Sequence, residues 1–341
     1  MANQTTGEGT QGMREGRRIK ANASMREALS LAVVYALIFV ILSVLSPFFL
    51  TTQNLINLLM ATSILAIVAV FTTMLMISGG LDLSVGSTVA LSGVVIAVLQ
   101  PLIGIWPAAL GGLLCGTLVG LLNGLLVTKV GINAVITTLG TLYVARGAAF
   151  VLSDGLTKPV FDEQFALLGS GKILGIPFPI LVALVLFIIG FIVLNFTTYG
   201  RALYAVGGNA EASRLASLPV TRYRITAYLL SGFSAGLAGV ILTARLYAAA
   251  PQAATGLEFS VIAAVVLGGT SLAGGKGTML GTFFGVLILG TLNNGMTLLS
   301  LSSDYQQIVQ GLVLLLAVAI DQFRLGAVDI AVLRRRGSSS T

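Results

Sequence analysis

Asp82 stands in a segment of small residues, Ser78-Gly79-Gly80-Leu81-Asp82-Leu83-Ser84-Val85-Gly86-Ser87, between two long apolar runs. Two chemistries are open to a carboxylate placed there. With Ser84 it can cap the exposed backbone N–H groups that open a helix, or it can meet a polar solute or gate its passage. Unpartnered at bilayer depth it would cost about 2.5–3.5 kcal/mol on insertion scales. Asp82 therefore lies near the membrane interface or among partners inside the protein. The other polar residues set in apolar runs are Asn57, Thr62, Asn123, Asn133, Thr137, Thr138, Thr141, Arg146, Asn293, Asn294, Gln306 and Gln307. All but Arg146 are neutral. Amides and hydroxyls suit a neutral polyhydroxylated solute, and they also serve as hydrogen-bond glue between helices. Asp82, Asn57, Asn133, Thr137, Thr141, Asn293 and Asn294 are the candidates for a translocation pathway. A proton-coupled carrier would show more buried carboxylates or histidines.

Covalent chemistry finds little to work with. There is no His, and the single Cys, Cys115, sits in the apolar run LLCGTLVG as a small hydrophobe. Disulfides, most transition-metal sites and the commonest acid–base side chain are thereby absent. No catalytic residue and no metal site are expected. Gly274-Gly275-Lys276-Gly277-Thr278 resembles a phosphate loop only in part. Gly277 follows the lysine where Ser or Thr is needed, and Thr270 stands where the first Gly should be. It reads as a turn, so this chain is not expected to bind or hydrolyse ATP, and it is no enzyme.

The elements that carry these residues must be membrane helices. The chain is 56% hydrophobic and 9% charged over 341 residues, where a soluble domain would be roughly a quarter charged. Its 41 glycines fit helices that approach closely in lipid. The apolar runs predict an all-α, polytopic bundle of about ten spans, near 29–45, 55–77, 84–100, 107–127, 132–152, 178–195, 225–243, 259–271, 279–299 and 305–322. The eighth is short and Gly-flanked, which suits a broken or shallow helix. The fifth is polar enough to face protein or water. Residues 1–28 form a basic tail, 29–323 a single membrane domain, and 324–341 a second basic tail.

The charges test the topology. With the N-terminus inside, inner segments hold fifteen of the 19 basic residues, from Arg14, Arg17, Arg18, Lys20 and Arg26 through Lys129, Arg201, Arg214, Arg222, Arg224 and Lys276 to Arg324, Arg334, Arg335 and Arg336. Lys158, Lys172, Arg245 and embedded Arg146 are the remainder. That bias places both termini in the cytoplasm, and it assigns the net charge of +7 to membrane orientation and not to nucleic acid. Segment 153–177 lies outside and reads as a tether. Segment 197–224 lies inside. Within it Asn209 is an N-cap, and Ala210 to Ala216 is a good helix former stopped before Pro219. Such a helix fits a partner's groove or rests on the inner membrane surface. Outside, Arg245 stands at a span end.

A repeat is also visible. Leu81-Asp82-Leu83-Ser84-Val85 resembles Leu257-Glu258-Phe259-Ser260-Val261, and Asn123-Gly124 is echoed by Asn294-Gly295. Five spans separate the copies, so spans 2–5 and 7–10 form an inverted repeat, the architecture of alternating-access transporters.

Taken together, these motifs resemble the permease family of bacterial ATP-driven (ABC) importers for ribose and related monosaccharides. The likeness rests on Gly79 to Ser87, on Gly200-Arg201 with Tyr204-Ala205-Val206-Gly207-Gly208-Asn209, and on Ile262 to Gly277 continuing to Leu292-Asn293-Asn294-Gly295. It runs from about residue 29 to 323. The resemblance implies a multi-pass permease of the bacterial inner membrane that pairs with a second permease subunit, homo- or heterodimeric. It implies a cytoplasmic ATPase that binds ATP and Mg, no cofactor on this chain, and a periplasmic binding protein that delivers a sugar. The 209–217 helix would then dock on the ATPase through Arg201, Asn209, Glu211, Arg214 and Leu215. Arg245, outside, would meet an acidic patch on the binding protein. One departure is Ser217-Leu218-Pro219, where such permeases often have Gly and then an aliphatic residue. The alternative is an ion-gradient-driven secondary transporter of a small polar solute, which the repeat fits and the scarcity of embedded carboxylates does not.

Overall fold

The computed structural model describes residues 29–324. Every expected apolar run is helical: α1 (Leu29–Leu45), α2 (Thr52–Ile77), α3 (Val85–Ile103), α4 (Ile105–Leu125), α5 (Ala134–Leu152), α7 (Phe178–Phe196), α10 (Val220–Leu246), α11 (Leu257–Leu267), α12 (Met279–Leu298) and α13 (Ser303–Arg324). Eight are long and apolar enough to cross a membrane, while α1 and α11 are shorter. At 1.5 Å per residue α11 rises only about 17 Å, roughly half the hydrocarbon core. The expected eighth span is therefore a half-length helix, ended at Gly268 and turned by Gly269 at φ 89°. Between the long helices lie α6 (Glu163–Ser170), α8 (Thr198–Gly208) and α9 (Ala210–Leu215). The tail at 1–28 and the tail beyond Arg324 fall outside the described residues.

α2 is the axis of the bundle. Every residue from Thr62 to Ile77 is buried, as expected of a helix apolar on all sides. Thr51 caps its start by accepting from the Asn54 N–H, and Gly79, at φ 80°, breaks the chain after its end. α4 and α10 form the tightest pair. Gly112, Gly116, Gly120 and Gly124 recur every four residues along one buried face of α4. A Cβ on Gly116 would lie 2.6 Å from the Gly236 Cα, and one on Gly120 would overlap the Tyr228 carbonyl oxygen. Lipid provides no hydrophobic force between helices, so such backbone contact is what holds the pair. Gly120→Ala should destabilise the protein by about 1–3 kcal/mol through forced separation. Gly140→Ala on α5, where a Cβ meets nothing within 4 Å, should be neutral or mildly stabilising. Thermal unfolding in detergent compares the two.

The packing also repeats. α3 packs on α4, α5 and α10, and α11 packs on α12, α13 and α2. Each half thus lends its first helix to the other half, the exchange a two-fold repeat of spans 2–5 and 7–10 would produce. α5 divides its faces: Thr137 and Thr138 are buried, while Tyr143, Val144 and Val151 are exposed. The span expected to face protein or water does so on one face, while its other face is apolar and exposed.

Segment 153–177 is more than a tether. Asp162 caps α6, which packs under α10 with Gly169 against the backbone of Ala244 and Arg245. Lys158–Pro159 pairs antiparallel with Ala248–Ala249, and Lys172–Ile173 with Ile176–Pro177. At the opposite end, Asn209 caps α9 by accepting from the Ala212 N–H. α9 stops because Ser217 adopts φ 61°, a left-handed conformation that suits Gly. Ser217→Gly should stabilise the protein by about 1 kcal/mol, readable as a rise in the detergent melting temperature.

Candidate functional site

Three places in the bundle collect the expected residues. The first is a cavity of about 700 Å³ among α2, α10, α11 and α12, at the end where α2 begins and α10 and α12 finish. Its polar lining is Asn57, Thr62, Arg245, Ser260, Asn293, Asn294 and Thr297, set against Ile64, Leu65, Leu242 and Leu257. Asn294 makes a reciprocal amide pair with Asn54, with N–H to oxygen distances of 2.8 and 3.1 Å. The Gln310 amide donates to the Asn293 oxygen at 3.1 Å, and the Ser260 hydroxyl donates to the Gln310 oxygen at 3.2 Å. Gln53 donates to the Asn57 oxygen at 3.2 Å. The amides facing the space are thus held in place. The Arg245 guanidinium donates to the Met60 carbonyl at 3.0 Å, which fixes it as a rim residue. The Thr62 hydroxyl is buried without a partner among the described residues.

The second place is the Asp82 network. Asp82 is 1% exposed and lies apart from the cavity lining. Its carboxylate accepts from the Ser84 N–H at 2.9 Å, the Ser84 hydroxyl at 2.6 Å, the Ser231 hydroxyl at 3.0 Å and the Asn123 amide at 3.4 Å. Asn123 donates to Ser84 at 2.9 Å and accepts from the Thr141 hydroxyl at 2.6 Å. One carboxylate so joins the start of α3 to α4, α5 and α10. The Ser260, Asn293 and Gln310 chain joins α11, α12 and α13 in the same relation, so each repeat carries its own polar tie. Thr137 is buried beside this network, and Asn133 caps α5 by accepting from the N–H groups of Val135 and Ile136.

Arg146 explains itself differently. It donates to the carbonyls of Pro251 and Ala253, both at 2.7 Å, stapling the loop before α11 to α5. Glu258 is buried beyond it against Gly86, with one carboxylate oxygen unpartnered among the described residues.

The third place is the surface of α8 and α9. Arg201 is exposed, and Glu211 and Arg214 form an ion pair at 2.9 Å with side chains 70% and 60% exposed. An ion pair so open to water adds little stability. Leu215 next to it is 82% exposed, an apolar side chain that nothing covers among the described residues. The turn at 274–277, with positive φ at Gly274, Gly275 and Gly277, packs against the end of α8.

Of the expected pathway residues, the cavity gathers Asn57, Asn293 and Asn294, together with Arg245. Asp82, Asn133, Thr137 and Thr141 stand elsewhere. Sequence reasoning did not single out Asn54, Ser260, Thr297 or Gln310. The likeness of Ser260 to Ser84 within the repeat was the available signal.

The chain matches the family described as the branched-chain amino acid transport system / permease component over residues 54–318. It is 44% identical to the ribose import permease protein RbsC of Escherichia coli (strain K12), over 90% of this chain and 97% of that protein. It is 41% identical to RbsC of Bacillus subtilis (strain 168), over 90% and 96%. The L-arabinose ABC transporter permease protein AraH of Azospirillum brasilense is 42% identical over 86% and 87%. No solved structure matches the chain.

Proposed function

The chain belongs to the branched-chain amino acid transport system permease family, and from that premise we propose that it is the membrane-spanning permease subunit of an ATP-driven monosaccharide importer. It is a multi-pass protein of the bacterial inner membrane, a transport component and not an enzyme. A periplasmic binding protein delivers the sugar, and a cytoplasmic ATPase, which holds ATP and Mg, drives alternating access. A second permease subunit completes the pathway.

The lining of the cavity carries this reading. Its volume, about 700 Å³, falls within the ~300–1,000 Å³ of small-molecule sites. Fixed amides and hydroxyls can donate to and accept from sugar hydroxyls, which are themselves donors and acceptors. Arg245 is the one charged residue in the lining. The ammonium of an amino acid would find no carboxylate there, so the lining favours the sugar named for the relatives over the solute named for the family. Neutral hydrogen bonds also suit release, since a transport site must bind weakly enough to let go. Asn57, Asn293 and Asn294 serve as pathway residues, Asp82 and Thr141 hold the helices that frame them, and Arg245 stands at the outer rim for the binding protein. Arg201, Asn209, Glu211, Arg214 and Leu215 form the ATPase contact.

Competition tests the solute. In vesicles holding the assembled importer, uptake of labelled ribose or arabinose should be suppressed by an excess of unlabelled monosaccharide and untouched by leucine. Uptake of leucine in place of either sugar would overturn the sugar assignment.

A further inference from the structure

The route by which α9 reaches the membrane core is legible in the backbone. α8 ends at Gly208, one residue before the Asn209 cap of α9, so a displacement of α9 is delivered to the last turn of α8. That turn is wedged between two breaks in the membrane helices. The Gly207 Cα lies so close to the end of α2 that a Cβ there would overlap the Ile77 carbonyl oxygen and reach 2.7 Å from the Gly275 nitrogen. The Gly275 N–H itself donates to that Ile77 carbonyl at 2.8 Å. A Cβ on Gly275 would lie 2.6 Å from the Gly208 Cα, and one on Gly274 2.9 Å from the Gly79 Cα. Three backbones therefore meet without side chains between them: the end of α8, the α2–α3 break and the α11–α12 turn. Around them, the Tyr204 hydroxyl donates to the Gly277 carbonyl at 2.8 Å, and Arg224 donates to the Ser78 carbonyl at 3.2 Å. Burial pushes the Tyr204 phenol up to about 12, so it stays a donor throughout the physiological range.

We propose that this glycine junction is the transmission of the importer, with Gly207 and Tyr204 as positioning residues that turn a displacement of α9 into a simultaneous movement of both repeats. The inference rests on the reading of α9 as the ATPase contact. Direct backbone contact transmits displacement because no flexible side chain intervenes to absorb it. The α2–α3 break leads through Leu81, held by Tyr228 at 3.1 and 3.3 Å, into the Asp82 network. The 274–277 turn leads into α12, which carries Asn293 and Asn294 of the cavity. One input thus reaches both repeats.

The test uses the full importer in proteoliposomes, reading sugar moved per ATP hydrolysed for Tyr204→Phe and Gly207→Ala. Assembly and melting temperature are measured alongside. Tyr199→Phe is the matched control, since Tyr199 lies on α8 but bonds Thr226 instead of the junction. The expected result is assembled complexes in which both tyrosine variants, each lacking one hydrogen bond, show a similar small drop in melting temperature. The ratio falls about five-fold or more for Tyr204→Phe, the low end of coupling between linked sites, and stays constant for Tyr199→Phe. An unchanged ratio in Tyr204→Phe overturns the junction's role, as does a fall that merely tracks lost stability. If Gly207→Ala fails to assemble, Tyr204→Phe decides alone. Wild-type vesicles that move no sugar on ATP overturn the underlying reading and this inference with it. Wild-type vesicles that couple normally beside a normal Tyr204→Phe remove the junction alone.

Discussion

Asp82→Ala should cost the protein about 3–5 kcal/mol, because it strips the acceptor from a buried polar network. Four donors converge on that carboxylate: the Ser84 N–H and hydroxyl, the Ser231 hydroxyl and the Asn123 amide. They come from α3, α10 and α4, and none has water to turn to, since Asp82, Ser84, Ser231 and Asn123 are all buried. Asp82→Asn keeps the shape and one oxygen and should lose less, while Ser231→Ala, which removes a single donor, should lose about 1 kcal/mol. Thermal unfolding in detergent gives the order. The helix cap that the sequence allowed is not formed, because Ser84 stands at the start of α3 with no side-chain bond to that helix's N–H groups. The experiment separates the interhelical tie found in its place from the solute contact or gate that the sequence also left open. A structural tie predicts that uptake falls with stability. Asp82→Ala with the wild-type melting temperature but no uptake would instead make the carboxylate a solute contact or a gate.

Leu215→Asp should weaken association with the ATPase subunit by about 30-fold, the loss of a side chain contributing about 2 kcal/mol at the centre of an interface. Leu215 is 82% exposed, so its replacement costs the isolated chain almost nothing, and any effect belongs to the partner. Beside it the Glu211–Arg214 pair is too exposed to matter for folding. Co-purification of the ATPase measures the change. If α9 rests on the lipid surface instead, Leu215→Asp leaves ATPase association as it was.

Local features of this protein were legible because they are written in consecutive residues. Ten apolar runs gave ten helices, the Gly79-Gly80 break separates α2 from α3, and Asn209 caps α9. Ser217, noticed as a departure from similar permeases, turned out to sit where backbone geometry favours Gly. What depends on distant partners was hidden. Asp82 meets Ser231 across 149 positions and Asn54 meets Asn294 across 240. No window of sequence contains either pair. The half-length of α11 was only hinted at by its flanking glycines, since the expected span of 259–271 runs on past Leu267 into a turn. The α4–α10 contact lay between these cases: a glycine every fourth residue from Gly112 to Gly124 is visible in the sequence, but its partner helix is not. The cavity was the least legible, because α2, α10, α11 and α12 each contribute only a few of its residues.

In the proposed importer a separate ATPase drives a neutral sugar through this chain. Proteoliposomes bearing the permease and its ATPase subunit, with sugar-loaded binding protein outside and ATP inside, measure it directly. Sugar accumulation should require internal ATP and continue when an ionophore collapses the ion gradients. Accumulation that proceeds without ATP and stops with the ionophore would contradict it.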